Sequence, residues 1–111
     1  MPHIIVEFSA GQTNDDPVES MLDALHRSVA ETGLFDEGHI RVRAIPVSFY
    51  RTAGKREHFI HAQCRIHDGR DVTQKRSLSE AVLATLKEQG WAATVITVEV
   101  VELDRASYAK A

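Results

Sequence analysis

The chain contains one cysteine, Cys64. A lone thiol excludes an intrachain disulfide and suits a reducing compartment, so a cytoplasmic setting is expected. No apolar run reaches the roughly 20 residues that a membrane-spanning helix needs, and no basic-then-apolar leader precedes the first apolar stretch. An excess of one charge is also missing. Lys+Arg number 13 against 16 Asp+Glu, for a formal net charge of −3 with both signs interspersed, which leaves neither a nucleic-acid footprint nor a polybasic membrane patch. No Gly-rich phosphate loop and no Gly-x-Ser-x-Gly elbow occurs. There are six histidines, but none pair at helical spacing. His58 and His61 stand three apart on a predicted strand and so face opposite sides, and Cys64 has no partner at ligand spacing, so no metal site is expected.

What is present fits one ordinary domain over residues 1–111. A chain of this size buries roughly two-thirds of its unfolded surface. Hydrophobic residues at 43% and charged residues at 26% are the proportions of a water-soluble globular protein.

The hydrophobic period alternates between 2 and 3.6. From His3 to Phe8, Ile4, Val6 and Phe8 share one face and His3, Ile5 and Glu7 the other, the pattern of a strand. Ser9 to Asp15, with Gly11, Asn14 and Asp15, reads as a loop. Asp16 caps a predicted helix, Pro17 takes its first position and Glu19 completes a capping-box-like pattern. Val18, Met21, Leu22, Leu25 and Val29 then form one apolar stripe, and Gly33 stops the helix. A second strand is expected from His39 to about Phe49, with Ile40, Val42 and Ala44 opposite Arg41, Arg43 and Ile45. Pro46 makes it bend or lie at an edge. Arg51 to Arg56 reads as a polar connection.

The second half repeats the first. A strand runs from about His58 to Ile66, with Ile60, Ala62, Cys64 and Ile66 opposed to Phe59, His61, Gln63 and Arg65. A tight turn follows at His67-Asp68-Gly69-Arg70-Asp71. Thr73 is the expected cap of a helix carrying Leu78, Ala81, Val82, Thr85 and Leu86, which Gly90 ends. Thr94 to Leu103 is the last strand, and Asp104 onward reads as a short polar tail. Two strand–helix–strand units in tandem, each crossing over right-handed, predict an α+β fold with a four-stranded mixed sheet and both helices on one face.

The other sheet face carries Ile5, Phe59, Val95 and Val101 among Glu7, Arg41, Arg43, His61, Gln63, Arg65 and Glu99. That mixture is too apolar for open water and too charged for an ordinary core. Packing against copies of the chain resolves both, so a closed homo-oligomer with sheets inside is expected.

Candidate chemistry begins at the first residues. Pro2 is at a position where a strand tolerates a residue with no N–H. Removal of Met1 would leave it a secondary amine, and an α-amino group titrates near roughly 7.7–8.0, so burial or a neighbouring cation would leave it neutral and basic. With Met1 attached its nitrogen is an amide, and Pro2 is then only a strand-edge residue. Arg41 and Arg43 share a strand face and Arg70 lies in a turn, residue types that fork onto carboxylates. Alternatively, Arg41 and Arg43 pair with Glu7 or Glu99 and Arg70 is a solvated turn charge. Cys64, on the helix-facing side, reads as an inert core thiol. His61 reads as a seam residue, and Phe49 and Tyr50 as packing.

Four motifs in order give these signals a common explanation: Pro2-His3-Ile4-Ile5-Val6-Glu7, Thr32-Gly33-Leu34-Phe35, Gly38-His39-Ile40-Arg41-Val42-Arg43, and Phe59-Ile60-His61 with Gly69-Arg70 beyond. Together they resemble the 5-carboxymethyl-2-hydroxymuconate isomerase family of the tautomerase superfamily, alongside 4-oxalocrotonate tautomerase and macrophage migration inhibitory factor. The resemblance runs from Pro2 through the second helix. It implies a tautomerase-like homotrimer, catalytic Pro2 as base, Arg41 and Arg70 holding the carboxylates of a small-molecule substrate, and isomerisation of a hydroxymuconate-type dienol without cofactor. The Ala44–Arg56 stretch and the short tail depart from the family pattern, which leaves open sister activities such as arylpyruvate tautomerisation, dehalogenation or decarboxylation. A non-enzymatic module binding small acids is the remaining alternative.

Overall fold

The computed structural model describes residues 1–12, 15–93 and 95–111, excluding the side chains of Asp15 and Asp16. The elements are β1 (His3–Ser9), α1 (Asp15–Glu31), a 3₁₀ turn (Glu37–His39), β2 (Arg41–Val47), β3 (Phe59–His67), α2 (Val72–Glu88) and β4 (Val95–Leu103). The sheet runs β2-β1-β3-β4. β1 is parallel to β2 and β3 to β4, while β1 and β3 are antiparallel at the centre. This is the expected tandem β-α-β architecture.

The apolar stripes meet where their periods place them. Ile4 and Val6 of β1, Met21, Leu25 and Val29 of α1, Ile60, Ala62, Cys64 and Ile66 of β3, and Leu78, Val82 and Leu86 of α2 are fully buried in one cluster. Each large aliphatic side chain contributes about 1.5–3 kcal/mol by leaving water. Phe8 meets Trp91 edge to face at 5.3 Å, closing the core at the far end. Ser28 Oγ donates to the Ala81 carbonyl at 3.2 Å and ties α1 to α2. Gly33 and Gly90, at φ +73° and +70°, adopt the left-handed backbone that ends each helix.

Several local expectations change. Asp71, not Thr73, caps α2. Its carboxylate accepts from Gln74 N at 2.8 Å while Gln74 Oε1 accepts from Asp71 N at 3.0 Å, a complete capping box. Thr73 falls inside the first turn, exposed. α1 starts at Asp15, so Asp16 and Pro17 are its second and third residues rather than its cap and first position, and Glu19 is exposed. The side chain of Asp16, Asn14 in the preceding loop and Thr94 before the last strand lie outside the described residues. β2 begins at Arg41 rather than His39. Asp36 Oδ1 accepts from Gly38 N at 3.1 Å and the Asp36 carbonyl from His39 N at 2.9 Å, winding that segment into the 3₁₀ turn. Pro46 sits on an edge strand opposite Phe8, and pairing continues past it to Val47.

The expected polar tail is instead docked. Asp104 accepts at its carbonyl from Ser107 N and Tyr108 N, at 3.2 and 3.1 Å, which folds residues 104–107 into a turn. Tyr108 then returns to the sheet. Its hydroxyl lies 2.9 Å from His3 Nε2, and its ring meets His67 edge to face at 4.8 Å.

Candidate active site

Topology brings four chain segments to one end of the sheet. Parallel pairing puts the starts of β1 and β2 together, antiparallel pairing puts the end of β3 beside the start of β1, and parallel pairing adds the end of β4. Between them lies a cavity of about 180 Å³. Met1 and Pro2 line it from just before β1, Leu34, Phe35, Asp36 and His39 from the segment after α1, His67 from β3, Arg70 from the turn before α2 and Arg105 from beyond β4.

Pro2 is buried, and its carbonyl accepts from Arg41 N at 3.0 Å, so the β1–β2 ladder begins at the one residue that has no N–H to lose. The terminal ammonium, here on Met1, is held below its ordinary value of 8.0. Burial is the main cause, followed by Lys110, Arg105, Arg41 and Arg70.

Arg70 is built into the wall. Its Nη2 donates to the Leu34 carbonyl at 2.6 Å, and its guanidinium lies 4.5 Å from the centre of the Phe35 ring. The turn before α2 is thereby stitched to the segment after α1. Arg41 stands differently. It is exposed and does not line the cavity, and its Nη1 donates to the carbonyls of Gly38 and Ile40 at 3.0 and 3.3 Å. It reaches the terminal amine through its field alone.

Two histidines flank the cavity as neutral bases. His3 is pushed below 6.5 by burial, then by Arg43, the terminal amine, Arg41 and Arg65. Arg43 Nη1 lies 3.3 Å from His3 Nδ1, and since a guanidinium can only donate, Nδ1 accepts and Nε2 carries the proton given to Tyr108. His67 is also lowered, by burial first, then the terminal amine and Arg105, with Asp68 opposing them. Its Nδ1 is shielded from solvent and has no hydrogen-bond partner among the described residues.

The alternative pairing of Arg41 and Arg43 with Glu7 or Glu99 does not occur among the described residues. Glu99 Oε2 meets His61 Nε2 at 2.8 Å, with Thr97 Oγ1 2.7 Å from His61 Nδ1. Among the described residues neither Arg41 nor Arg43 pairs with an acid. Cys64 is buried, and burial with Glu99 pushes its thiol up to about 12, which keeps it protonated and inert. Among the described residues no three His, Cys, Asp or Glu side chains gather as a metal site.

A cavity lined by Arg70 and Arg105 as well as Asp36, with a depressed amine beside it and, among the described residues, no ion pair on Arg70, suits a small anionic ligand and proton transfer. The chain matches a family description over residues 2–110. It belongs to the 5-carboxymethyl-2-hydroxymuconate isomerase family. Membership makes it an enzyme of isomerase or tautomerase type. No curated protein sequence matches it. Among solved structures it is similar to a 5-carboxymethyl-2-hydroxymuconate isomerase from Deinococcus radiodurans R1, at 22% identity and TM-score 0.83, covering 99% of this chain and 88% of that one. It is also similar to a macrophage migration inhibitory factor-like protein from Entamoeba histolytica, at 14% identity and TM-score 0.79, covering 99% and 95%. A fused 4-OT described as a wild-type symmetric trimer matches at 13% identity and TM-score 0.78, covering 92% and 87%. These likenesses establish a tautomerase-like fold.

Three lining or supporting residues escaped the sequence reading: His67, Arg105 and Tyr108. His67 stands in the predicted turn, and the other two in the predicted tail. The signal was present in the parallel pairing of β3 with β4, since a strand ending at Leu103 must deliver residue 105 beside the end of β3.

Proposed function

We propose that this chain is a cofactor-free isomerase that moves a proton within a carboxylated hydroxymuconate-type dienol, of the kind met in aromatic-compound breakdown, with Pro2 as the base. The observation that carries the reading is the position of Pro2: buried at the start of β1, in a cavity it shares with Arg70, where burial and cations already depress the terminal amine. Removal of Met1 moves that amine onto Pro2. The free base then takes the hydroxyl proton of the dienol, breaking one O–H bond. The electron pair spreads through the conjugated system as a dienolate, and the same amine returns the proton to a distal carbon, forming one C–H bond as the double bonds shift. Arg70 holds a substrate carboxylate by forked hydrogen bonds and stabilises the dienolate charge, and Arg41 adds its field from outside the cavity.

The open sheet face supports assembly as a homotrimer of single-domain chains with the sheets inward. Val95 and Ile45 are 39% and 45% exposed on that face, and Ile5 and Phe59 lie between them only half covered. Among the described residues no helix is long and apolar enough to cross a membrane, and the free Cys64 fits a cytoplasmic setting.

Intact mass of the active protein tests the mechanism directly. Loss of Met1 is the expected result, and full turnover by a chain that retains it overturns the proline base. A panel of hydroxymuconates, arylpyruvates, haloacrylates and β-keto acids, followed by ultraviolet absorbance, separates the proposed reaction from its sister chemistries. Carboxylate binding without turnover of any of these would favour a non-enzymatic module. Sedimentation at the mass of three chains is the expected assembly result.

A further inference from the structure

The cavity holds a second guanidinium that the proposed mechanism does not use. Arg105 lines it together with Arg70, and both also line an adjoining hollow of about 340 Å³ bounded by Gly33, Asp68, Gly69 and Gln74. The inner cavity alone, at about 180 Å³, is smaller than the roughly 300–1,000 Å³ of ordinary ligand sites. The hollow adjoins it at the two arginines, so a ligand longer than a simple acid has room there.

Arg105 is held in place from three sides. Asp68 takes one edge of its guanidinium, with Oδ1 3.5 Å from Nε and the backbone carbonyl accepting from Nη2 at 3.2 Å. The remaining N–H groups are left for a ligand. On the chain before it, Asp68 N donates to the Leu103 carbonyl at 3.3 Å, pinning the end of β4 to the end of β3. On the chain after it, the turn at Asp104 leads to Tyr108, whose hydroxyl and ring are fixed by His3 and His67. A loop anchored on both sides of an arginine is a built feature, unlike a fraying terminus.

We propose that Arg105 is a specificity residue that binds a second carboxylate of the substrate, and that Tyr108 is the positioning residue that keeps it at the cavity mouth. The inference rests on the acid-isomerising reading above, whose hydroxymuconate-type substrate already carries two carboxylates, and adds which side chain takes the second. One carboxylate sits at Arg70 and the other at Arg105, both of which line the cavity that Pro2 lines. A monoacid gains nothing from Arg105.

Calorimetric binding of adipate and hexanoate, a saturated diacid and monoacid of equal length, reads this without turnover. The mature full chain should prefer adipate. Arg105→Ala should weaken adipate about 10- to 100-fold, the loss expected for a charge-assisted hydrogen bond, while hexanoate changes less than about twofold. Arg105→Lys should restore part of the difference, because the charge stays but the fork is lost. Tyr108→Phe should fall between the wild type and Arg105→Ala in the adipate-to-hexanoate ratio, whereas a purely structural role for Tyr108 would weaken both acids together. Absence of an adipate preference in the wild type, or equal changes for the two acids in Arg105→Ala, overturns the proposal. If Pro2→Ala leaves turnover intact while the adipate preference still depends on Arg105, the proline base fails and this inference stands.

Discussion

The two ends of the sheet are related by the tandem repeat, yet among the described residues only one carries the candidate site. At the start of β3, the counterpart of the start of β1, polar side chains bond across the space. Ser9 Oγ, fully buried, lies 3.0 Å from His58 Nδ1 and accepts from Phe59 N and Gln12 Nε2, each at 3.0 Å, while Tyr50 OH approaches the same His58 nitrogen at 3.4 Å. At the start of β1 the bonds of His3 to Tyr108 and Arg43 leave a cavity open beside them. The lining there is Pro2, which has no donor, with Arg70 and Arg105 at the rim. The duplicated backbone thus makes two equivalent openings. Side-chain chemistry seals one with short hydrogen bonds and leaves the other open and cationic.

That contrast can be broken from either end. Pro2→Ala should cut turnover by about 10²- to 10⁴-fold, the usual share of a positioned acid–base group, with the circular dichroism spectrum unchanged. The limb of the pH–rate profile that reports the base should show activity falling as pH drops through an amine pKa below 8.0, because only the neutral amine accepts a proton. Arg70→Ala should raise KM by about 10- to 100-fold through a lost charge-assisted bond to the substrate. At the sealed end, Ser9→Ala should leave kcat/KM unchanged but lower stability in urea by about 1–3 kcal/mol, since the Phe59 N–H and the His58 ring lose a buried partner. Loss of turnover in that variant would mean the two ends are not separable.

The smallest effects are at the helix start and in the acid limb of stability. Asp71→Ala should cost about 1 kcal/mol by removing the α2 cap, whereas Thr73→Ala should stay within about 0.5 kcal/mol, both read by thermal melting. His3 and His67 both have folded pKa values below 6.5. The unfolded chain therefore binds protons first as pH falls, so stability should hold above about 6.5 and decline below it. His3→Gln should flatten that decline in urea titrations run across the range.

Much of the fold was legible because it is written in local periods. The stripe from Met21 to Val29 and the alternation from Ile60 to Ile66 each fix a buried face without reference to the rest of the chain. The cap of α2 was misread because Asp71 and Thr73 are both good capping residues, and only the reciprocal bond from Gln74 decides between them. Within the candidate site, Pro2 and Arg70 were marked by residue type and motif, and the structure brings them to one cavity. Arg41 was marked by the same reasoning but lies outside it, because its guanidinium turns back to the carbonyls of Gly38 and Ile40.

By itself, then, the sequence determined the tandem β-α-β units, the faces that become core, and the proline whose missing N–H suits the first rung of β1. Tertiary structure alone decided that Arg105, in a stretch with neither period nor motif, lines the cavity and that Tyr108 docks on His3 and His67 beside it. The physical reason is range: hydrophobic period and capping act over a few residues of chain, whereas the contact between His3 and Tyr108 joins positions 105 apart and exists only once four strands have set their register.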